Sequence, residues 1–419
     1  MVANEDARTN GATVSLEEAA QTILNEGVAL VALERYDIAV AAFDRLLERF
    51  GFSDDPSIRQ LVAAALFNKG TSLSKLRRNE EAVQAFDRLL TRFRNASDPV
   101  LQEMTANATV KKGIALAALG RVEDAIAAYD KVSKRFAEAT EPAIQQSVAE
   151  ALFSMGVRLG ALDRHQEALA VYNEVVRRFA SGTSLMLREA VARSMLNKGA
   201  QLGMLGRGDE AMAVYEELAR RCEGEPEGLL RASAVSALGN KAIRLGALNR
   251  NDEALAIYDE LIRRFAGSGD LEPELRGPVA KAMFDKGARL GALDRSVEAV
   301  DAYEQVITRF GRADDPAVRE QVSRALVNKG ARLGKLGRWD ESLQAYDQVI
   351  ERDDGATAPA LRERVARAIY NKGTALRKMG RESDAIAAWD EVVKRYGDSP
   401  MPGLRDLVAK SRDAIVEKS

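Results

Sequence analysis

Among 419 residues there is one cysteine and one histidine. Cys222 has no second thiol with which to close a disulfide inside the chain, and His165 has no second imidazole to share a metal, so neither a disulfide framework nor a metal site is expected. Such thiol scarcity suits a reducing compartment. No stretch approaches ~18 uninterrupted apolar residues, which excludes a membrane-spanning helix. The opening MVANEDARTNGATV lacks both the basic start and the apolar run of a secretory signal. An excess of one charge is missing too: the formal net charge is -2, so the protein as a whole offers no basic field to nucleic acid or an acidic membrane, and charge has to be read face by face. These absences describe a cytoplasmic protein that carries no cofactor and touches no membrane.

What is present is an ordered composition, 46% hydrophobic and 30% charged, arranged with a fixed period. Gly27, Gly70, Gly113, Gly156 and Gly199 are spaced by 43 residues; Ala242 follows at 43, Gly287 at 45, and Gly330 and Gly373 at 43 again. Sixteen residues after each of these nine anchors stands an aromatic, from Phe43, Phe86 and Tyr129 to Tyr346 and Trp389. Twelve residues after each anchor stands alanine, or Ser342 in the eighth unit. A small residue and an aromatic thus lie one turn apart on the same helix face.

Within the eighth unit, Val318, Val322, Leu326, Gly330, Leu333 and Leu336 form an apolar stripe with spacings of four and three, which is one helix, about twenty residues long. Asp315-Pro316 signals its start as N-cap and first helical residue, with equivalents at Pro56, Pro99, Pro142, Pro273, Pro359 and Pro402. Its end is signalled seven residues after the anchor by Gly120, Asp163, Gly206, Asn249, Asp294, Gly337 and Gly380, which tolerate a left-handed stop; Glu34 and Arg77 are exceptions. A second helix of about fourteen residues follows, with acids such as Asp340 and Glu341 in its first turn and bases such as Arg263 and Arg264 in its last. Each unit is expected to be a helix hairpin.

These columns resemble the tetratricopeptide repeat family, whose pattern W-x2-L-G-x2-Y, then A-x3-F, falls with its glycine on Gly330, its later small residue on Ser342 and its aromatic on Tyr346. The period exceeds that family's and resembles long-repeat bacterial arrays. The resemblance implies an all-α fold: a right-handed superhelical α-solenoid of nine helix hairpins over residues 15–397, a disordered tail at 1–14 and a C-terminal capping helix at 398–419. Glycine at the anchor removes the side chain where the second helix crosses the first. Ser15 with Glu18 makes a capping box for the first helix.

Arginine recurs eight residues after every anchor, Arg35 to Arg381, and 22 after every anchor, Arg49 to Arg395. Both columns are read as structural, satisfying carbonyls and dipoles at helix C-termini. Lysine precedes the anchor in most units, and an acid follows it by 17, as in Asp87, Asp259 and Asp347; the unit with Met155 in place of lysine carries neutral Asn173. An ion pair inside each unit is expected. The segment GARLGKL, from Gly330, resembles a phosphate loop by chance only, since it lies in a helix. His165 occupies a variable surface position. With the Asp-Glu doublets assigned to helix dipoles, no catalytic residue is expected, and the protein is read as no enzyme.

One face of each first helix, at six and two residues before the anchor and two after it, changes along the chain. The early ridges carry little positive charge, as in Gln21, Asn25 and Ala29, whereas the later ones are cationic with asparagine. In the resembled family this face lines a concave groove. The expected site for an extended peptide, acidic or bearing a terminal carboxylate, comprises Arg193, Asn197, Asn240, Arg244, Lys281, Asp285, Arg289, Arg324, Asn328, Arg332, Arg367 and Asn371. Amides donate and accept toward a strand backbone, and guanidinium groups select carboxylates. The alternatives are a structural spacer, a self-associating scaffold, or a sensor module of a larger effector system; nucleic acid is disfavoured because the face has few aromatics for stacking. The sequence leaves oligomeric state open.

Overall fold

The structure, a computed structural model, describes residues 15–267 and 270–416. The expected tail at 1–14 and the last three residues of the closing segment lie outside the described residues. Two compact units, Met1–Leu205 and Gly206–Ser419, divide the chain.

The first unit holds α1 (Leu16–Ala32), α2 (Tyr36–Phe50), α3 (Pro56–Lys75), α4 (Asn79–Arg92), α5 (Pro99–Ala118), α6 (Val122–Arg135), α7 (Pro142–Ala161), α8 (His165–Phe179) and α9 (Leu185–Met204). The second holds α10 (Gly208–Cys222), α11 (Gly228–Ala247), α12 (Asn251–Phe265), α13 (Pro273–Ala292), α14 (Ser296–Phe310), α15 (Pro316–Lys335), α16 (Trp339–Asp353), α17 (Pro359–Lys378), α18 (Glu382–Tyr396) and α19 (Pro402–Val416). No strand occurs among the described residues. The chain is an all-α array of helix pairs.

Helix starts follow the local chemistry. The Asp315 carboxylate accepts from the Val318 N–H at 3.0 Å, Asp98 does the same for Leu101 at 3.0 Å, and proline fills the first position of each of these helices. Ser15 and Glu18 form the reciprocal capping box. At the other end the chain turns through a left-handed residue in every repeat, including the two that lack a residue suited to it: Glu34 at φ 57° and Arg77 at φ 60°. The hydrogen-bond ring imposes this conformation. The N–H of the following residue closes on the carbonyl five residues back, as Arg78 to Leu73 at 2.9 Å and Arg338 to Leu333 at 2.9 Å.

Anchor glycines sit against the aromatic of the paired helix. A methyl group at Gly330 would lie 2.6 Å from the Tyr346 ring, at Gly70 2.6 Å from Phe86, and at Gly373 2.6 Å from Trp389, all far inside van der Waals contact. These rings are buried, so the glycine sets how closely the two helices approach.

Within each unit, every first helix also packs on the next first helix (α3 on α5, α13 on α15), whereas among the described residues the backbones of successive second helices stand apart and only long side chains such as Arg178, which reaches Ser133, bridge them. The first helices therefore make the continuous layer. Two cationic columns tie successive repeats together. Arg92 reaches back to carbonyls at Gly51 and Ser53, and Arg178 to those of Phe136 and Ala137, so this arginine serves the preceding repeat's helix end. The pre-anchor lysines cross the same seam: Lys112 meets Asp87 at 2.5 Å, Lys286 meets Asp259 at 2.6 Å and Lys372 meets Asp347 at 2.6 Å. The ion pair thus exists between the expected columns but joins neighbouring repeats rather than one unit. The first described repeat carries Glu26 at this position and pairs it within the hairpin with Arg45.

The other arginine column corrects its expected role. Arg164, Arg250 and Arg338 are the N-cap residues of the second helices, and each clamps an acid three residues on, as Arg338 does Glu341. The carboxylate partner, not a helix C-terminus, holds them.

Candidate functional site

The first-helix layer brings the expected ridge residues to one face in each unit. Arg193 and Asn197 lie on α9 of the first unit; Asn240 and Arg244 on α11, Lys281, Asp285 and Arg289 on α13, Arg324, Asn328 and Arg332 on α15, and Arg367 and Asn371 on α17 all belong to the second. The second unit thus carries a run of four ridges.

The asparagines are half-buried and already engaged on one side. Asn328 Nδ2 donates to the Tyr303 hydroxyl at 3.2 Å and Asn197 Nδ2 to that of Tyr172 at 3.3 Å; Asn240 and Asn371 lie near the phenols of Tyr215 and Tyr346. Asn328 and Asn197 therefore each satisfy the phenol of the preceding repeat and keep a carbonyl oxygen and second N–H for another partner. Burial pushes these phenols up, Tyr172 to about 12.

The cations differ in how they are held. Lys281 is neutralised by Asp285 at 2.5 Å, and Arg367 by Glu363 at 2.9 Å. Arg324 lies over the Phe284 ring, 4.1 Å from its centroid, and Arg193 over Phe153 at 3.9 Å with Glu150 at 3.6 Å. Among the described residues, Arg244, Arg289 and Arg332 make no ion pair with a carboxylate, Asp294 near Arg332 being held by Lys335 at 2.9 Å. Arg289 donates to the Gly246 carbonyl at 3.3 Å and to Asn251 at 3.5 Å.

A second glycine column, four residues after the anchor, explains how those guanidinium groups are seated. A methyl group at Gly246 would run into Arg289, and one at Gly291 would lie 2.9 Å from Arg332; in the first unit Gly160 makes room for Gln201 at 2.8 Å. These glycines let a long side chain from the next repeat lie flat over the helix backbone. Sequence reasoning passed over them, although the signal was there: Gly160, Gly246 and Gly291 precede Gln201, Arg289 and Arg332, whereas Ser74 precedes small Ala115. His165 also departs from its expected surface role, since its ring is half-buried with Nδ1 2.7 Å from Gln201 Oε1.

No three His, Cys, Asp or Glu side chains gather in a metal-binding arrangement among the described residues, and no described helix is long and apolar enough to cross a membrane. A family model described as Tetratricopeptide repeat matches residues 24–99, 69–139, 110–183 and 327–400, together more than half of the chain. The unmatched stretch contains Ala242 and the 45-residue step to Gly287. No curated protein matches the chain in sequence. Among solved structures, the apo form of RapI is 12% identical, with a TM-score of 0.53, over 96% of this chain and 99% of that one. Importin beta is 11% identical, with a TM-score of 0.53, over 98% of this chain and 61% of its own length. The apo quorum sensor NprR from B. thuringiensis is 13% identical, with a TM-score of 0.48, over 81% of this chain and 89% of that one. At these identities the likeness is one of fold.

Proposed function

Because the chain belongs to the tetratricopeptide repeat family, we propose that it is a non-catalytic scaffold for protein partners, and that the first-helix face of its second unit holds an extended segment rich in carboxylates. The observation that carries this reading is the contrast between arginine columns. The N-cap arginines are clamped by acids, as Arg250 is by Glu253 and Arg295 by Glu298, whereas Arg244, Arg289 and Arg332 present one uncompensated guanidinium per repeat on the continuous layer.

Adjacent packed helices lie about 10 Å apart, and a segment in the extended polyproline II conformation advances about 3.1 Å per residue with three residues per turn. Every third residue of such a segment points the same way and would therefore reach the next arginine. Glutamate or aspartate at those positions would form charge-assisted bonds, while the free amide groups of Asn240, Asn328 and Asn371 would take the intervening backbone. The glycines beneath Arg289 and Arg332 support the reading further, because a guanidinium seated on backbone loses less freedom on binding than one on a mobile surface.

A labelled peptide with glutamate at every third position and a free C-terminal carboxylate is the probe. Arg289→Glu combined with Arg332→Glu should raise its Kd at least about tenfold with the far-ultraviolet dichroism intact, and the native affinity should fall with added salt. Unchanged affinity in the charge-reversed protein would move the site off this face.

A further inference from the structure

On the opposite side of the first unit, the second helices α4 and α6 stand apart over α5 and leave a cleft of about 450 Å³. Its floor is apolar, with Leu90, Val132 and Phe136, and its walls carry Arg94, Lys131 and Arg135. Two positions that hold a neutral residue or a carboxylate in several other repeats both hold cations here.

Arg135 belongs to the column that ends each second helix, and in the sixth and ninth repeats that arginine has carboxylates at two fixed places. Four residues before it, Glu260 lies 3.7 Å from Arg264 and Glu391 meets Arg395 at 2.6 Å. In the preceding repeat, Glu223 meets Arg264 and Asp354 meets Arg395 at 2.8 Å. In the third repeat both places hold cations, Lys131 and Arg94. Among the described residues, Arg135 meets the Arg94 carbonyl, at 2.8 Å, and the face of Phe136, 5.0 Å away, and no carboxylate. Burial, with Arg94 nearby, pushes the Arg135 guanidinium down from its ordinary value. Arg94 and Lys131 have no ion pair among the described residues, and Asp87 at the rim is already bound by Lys112 at 2.5 Å. The equivalent cleft between α12 and α14 differs: neutral Gln305 stands where the α4–α6 cleft has Lys131, and a further acid, Asp301, joins Arg263 and Arg309 in its lining.

We propose that the α4–α6 cleft is an anion site for a phosphoryl group attached to a compact apolar body. Three convergent cations match a dianion better than a single carboxylate, the guanidinium forks suit its oxygens, and Thr91 and Asn95 add a hydroxyl and an amide at the rim. The floor of Leu90, Val132 and Phe136 receives the group that bears the phosphate. A phosphorylated small molecule and a phosphorylated side chain share this chemistry. The site is separate from the first-helix face and does not depend on it.

Calorimetric titration of the full chain with inorganic phosphate, phenyl phosphate and a phosphotyrosine peptide tests the assignment against Arg94→Glu with Lys131→Glu, which places carboxylates where the sixth and ninth repeats carry them. Phenyl phosphate should bind more tightly than inorganic phosphate, and the variant should lose at least about tenfold in affinity while melting at a higher temperature than the native chain in phosphate-free buffer. That gain in stability separates loss of the site from loss of the fold. Binding of the peptide beyond that of phenyl phosphate assigns the site to phosphorylated side chains, and weaker peptide binding assigns it to small molecules. Absence of phenyl phosphate binding to the native chain, or binding that survives the double reversal, overturns the proposal.

Discussion

At the scale of single residues, the left-handed stops show how a helix end imposes a conformation its side chain resists. Arg77 at φ 60° is held there by the Arg78 N–H closing on Leu73, the same ring that glycine closes without strain in the third and eighth repeats. A non-glycine L-residue pays about 1–2 kcal/mol in this region, and glycine gives back about 0.4–1 kcal/mol through the freedom of the unfolded chain. Arg77→Gly should therefore stabilise the protein by roughly 0.5–1 kcal/mol, visible as a higher denaturant midpoint with an unchanged slope. Glu34→Gly should behave alike, and a lower midpoint in both would mean that their side chains make contacts worth more than the strain. The column was legible in the sequence at seven of its nine members, because Gly, Asn and Asp advertise a left-handed stop. At Glu34 and Arg77 the side chain carries no such signal, and only the repeat period said that a stop must occur.

At the scale of elements, the seams between repeats decide most of what the sequence left ambiguous. In a periodic chain a pairing within a unit and a pairing between neighbouring units involve the same two columns, so lysine and acid could be matched while their register could not. Met155 with Asn173 suggested the wrong register; Glu26 in the first described repeat held the right clue, since an acid there cannot serve as the cation of the column and pairs with Arg45 instead. The eighth repeat offers a sharper test of what fills a seam. Where most repeats bury an aromatic after the terminal arginine, α16 ends in Asp353, whose side chain is 0% exposed; it accepts from Arg319 Nε at 2.7 Å and from the Ser323 hydroxyl. Ser323 stands where other repeats have alanine or valine, so the two polar residues arrived as a pair. Ser323→Ala alone removes a donor from a buried carboxylate and should cost about 1–3 kcal/mol. Asp353→Phe with Ser323→Ala restores the packing of the second repeat, where Arg59 lies over Phe93 at 5.8 Å, and should be neutral or stabilising by about 1–4 kcal/mol. Thermal unfolding of the single and double variants checks both signs, and a double variant weaker than the single would show that the cavity at this seam does not fit a ring.

At the scale of the whole molecule, the repeated tyrosine couples stability to alkaline pH through many copies of one small environment. Tyr129, Tyr172, Tyr215, Tyr258, Tyr303 and Tyr346 all have their phenols pushed up, in each case chiefly by burial, with Tyr172 reaching about 12. The sign follows from comparing the two states. Below the unfolded value of about 10 both states keep the proton and the packed phenol contributes fully; above it the unfolded chain ionises while the folded chain cannot, so stability is lost as pH rises from about 10 toward the folded value. The six contributions act in both units and lie far enough apart to add. Denaturant midpoints should hold steady to about pH 9 and then fall steeply by about pH 11.5. The informative comparison is with Tyr172→Phe and Tyr303→Phe, which copy the Phe43 and Phe86 already present in this column. Those variants lose a phenol that resists ionisation, and their midpoints should fall less steeply than the native chain's above pH ~10. Asn197 and Asn328 lose their hydroxyl partners in the same variants. Each amide then has a further N–H to offer on the first-helix face, and the acidic peptide's affinity should be kept. An equally steep alkaline fall in native and variant chains would show that the phenols are not the groups whose burial opposes charge.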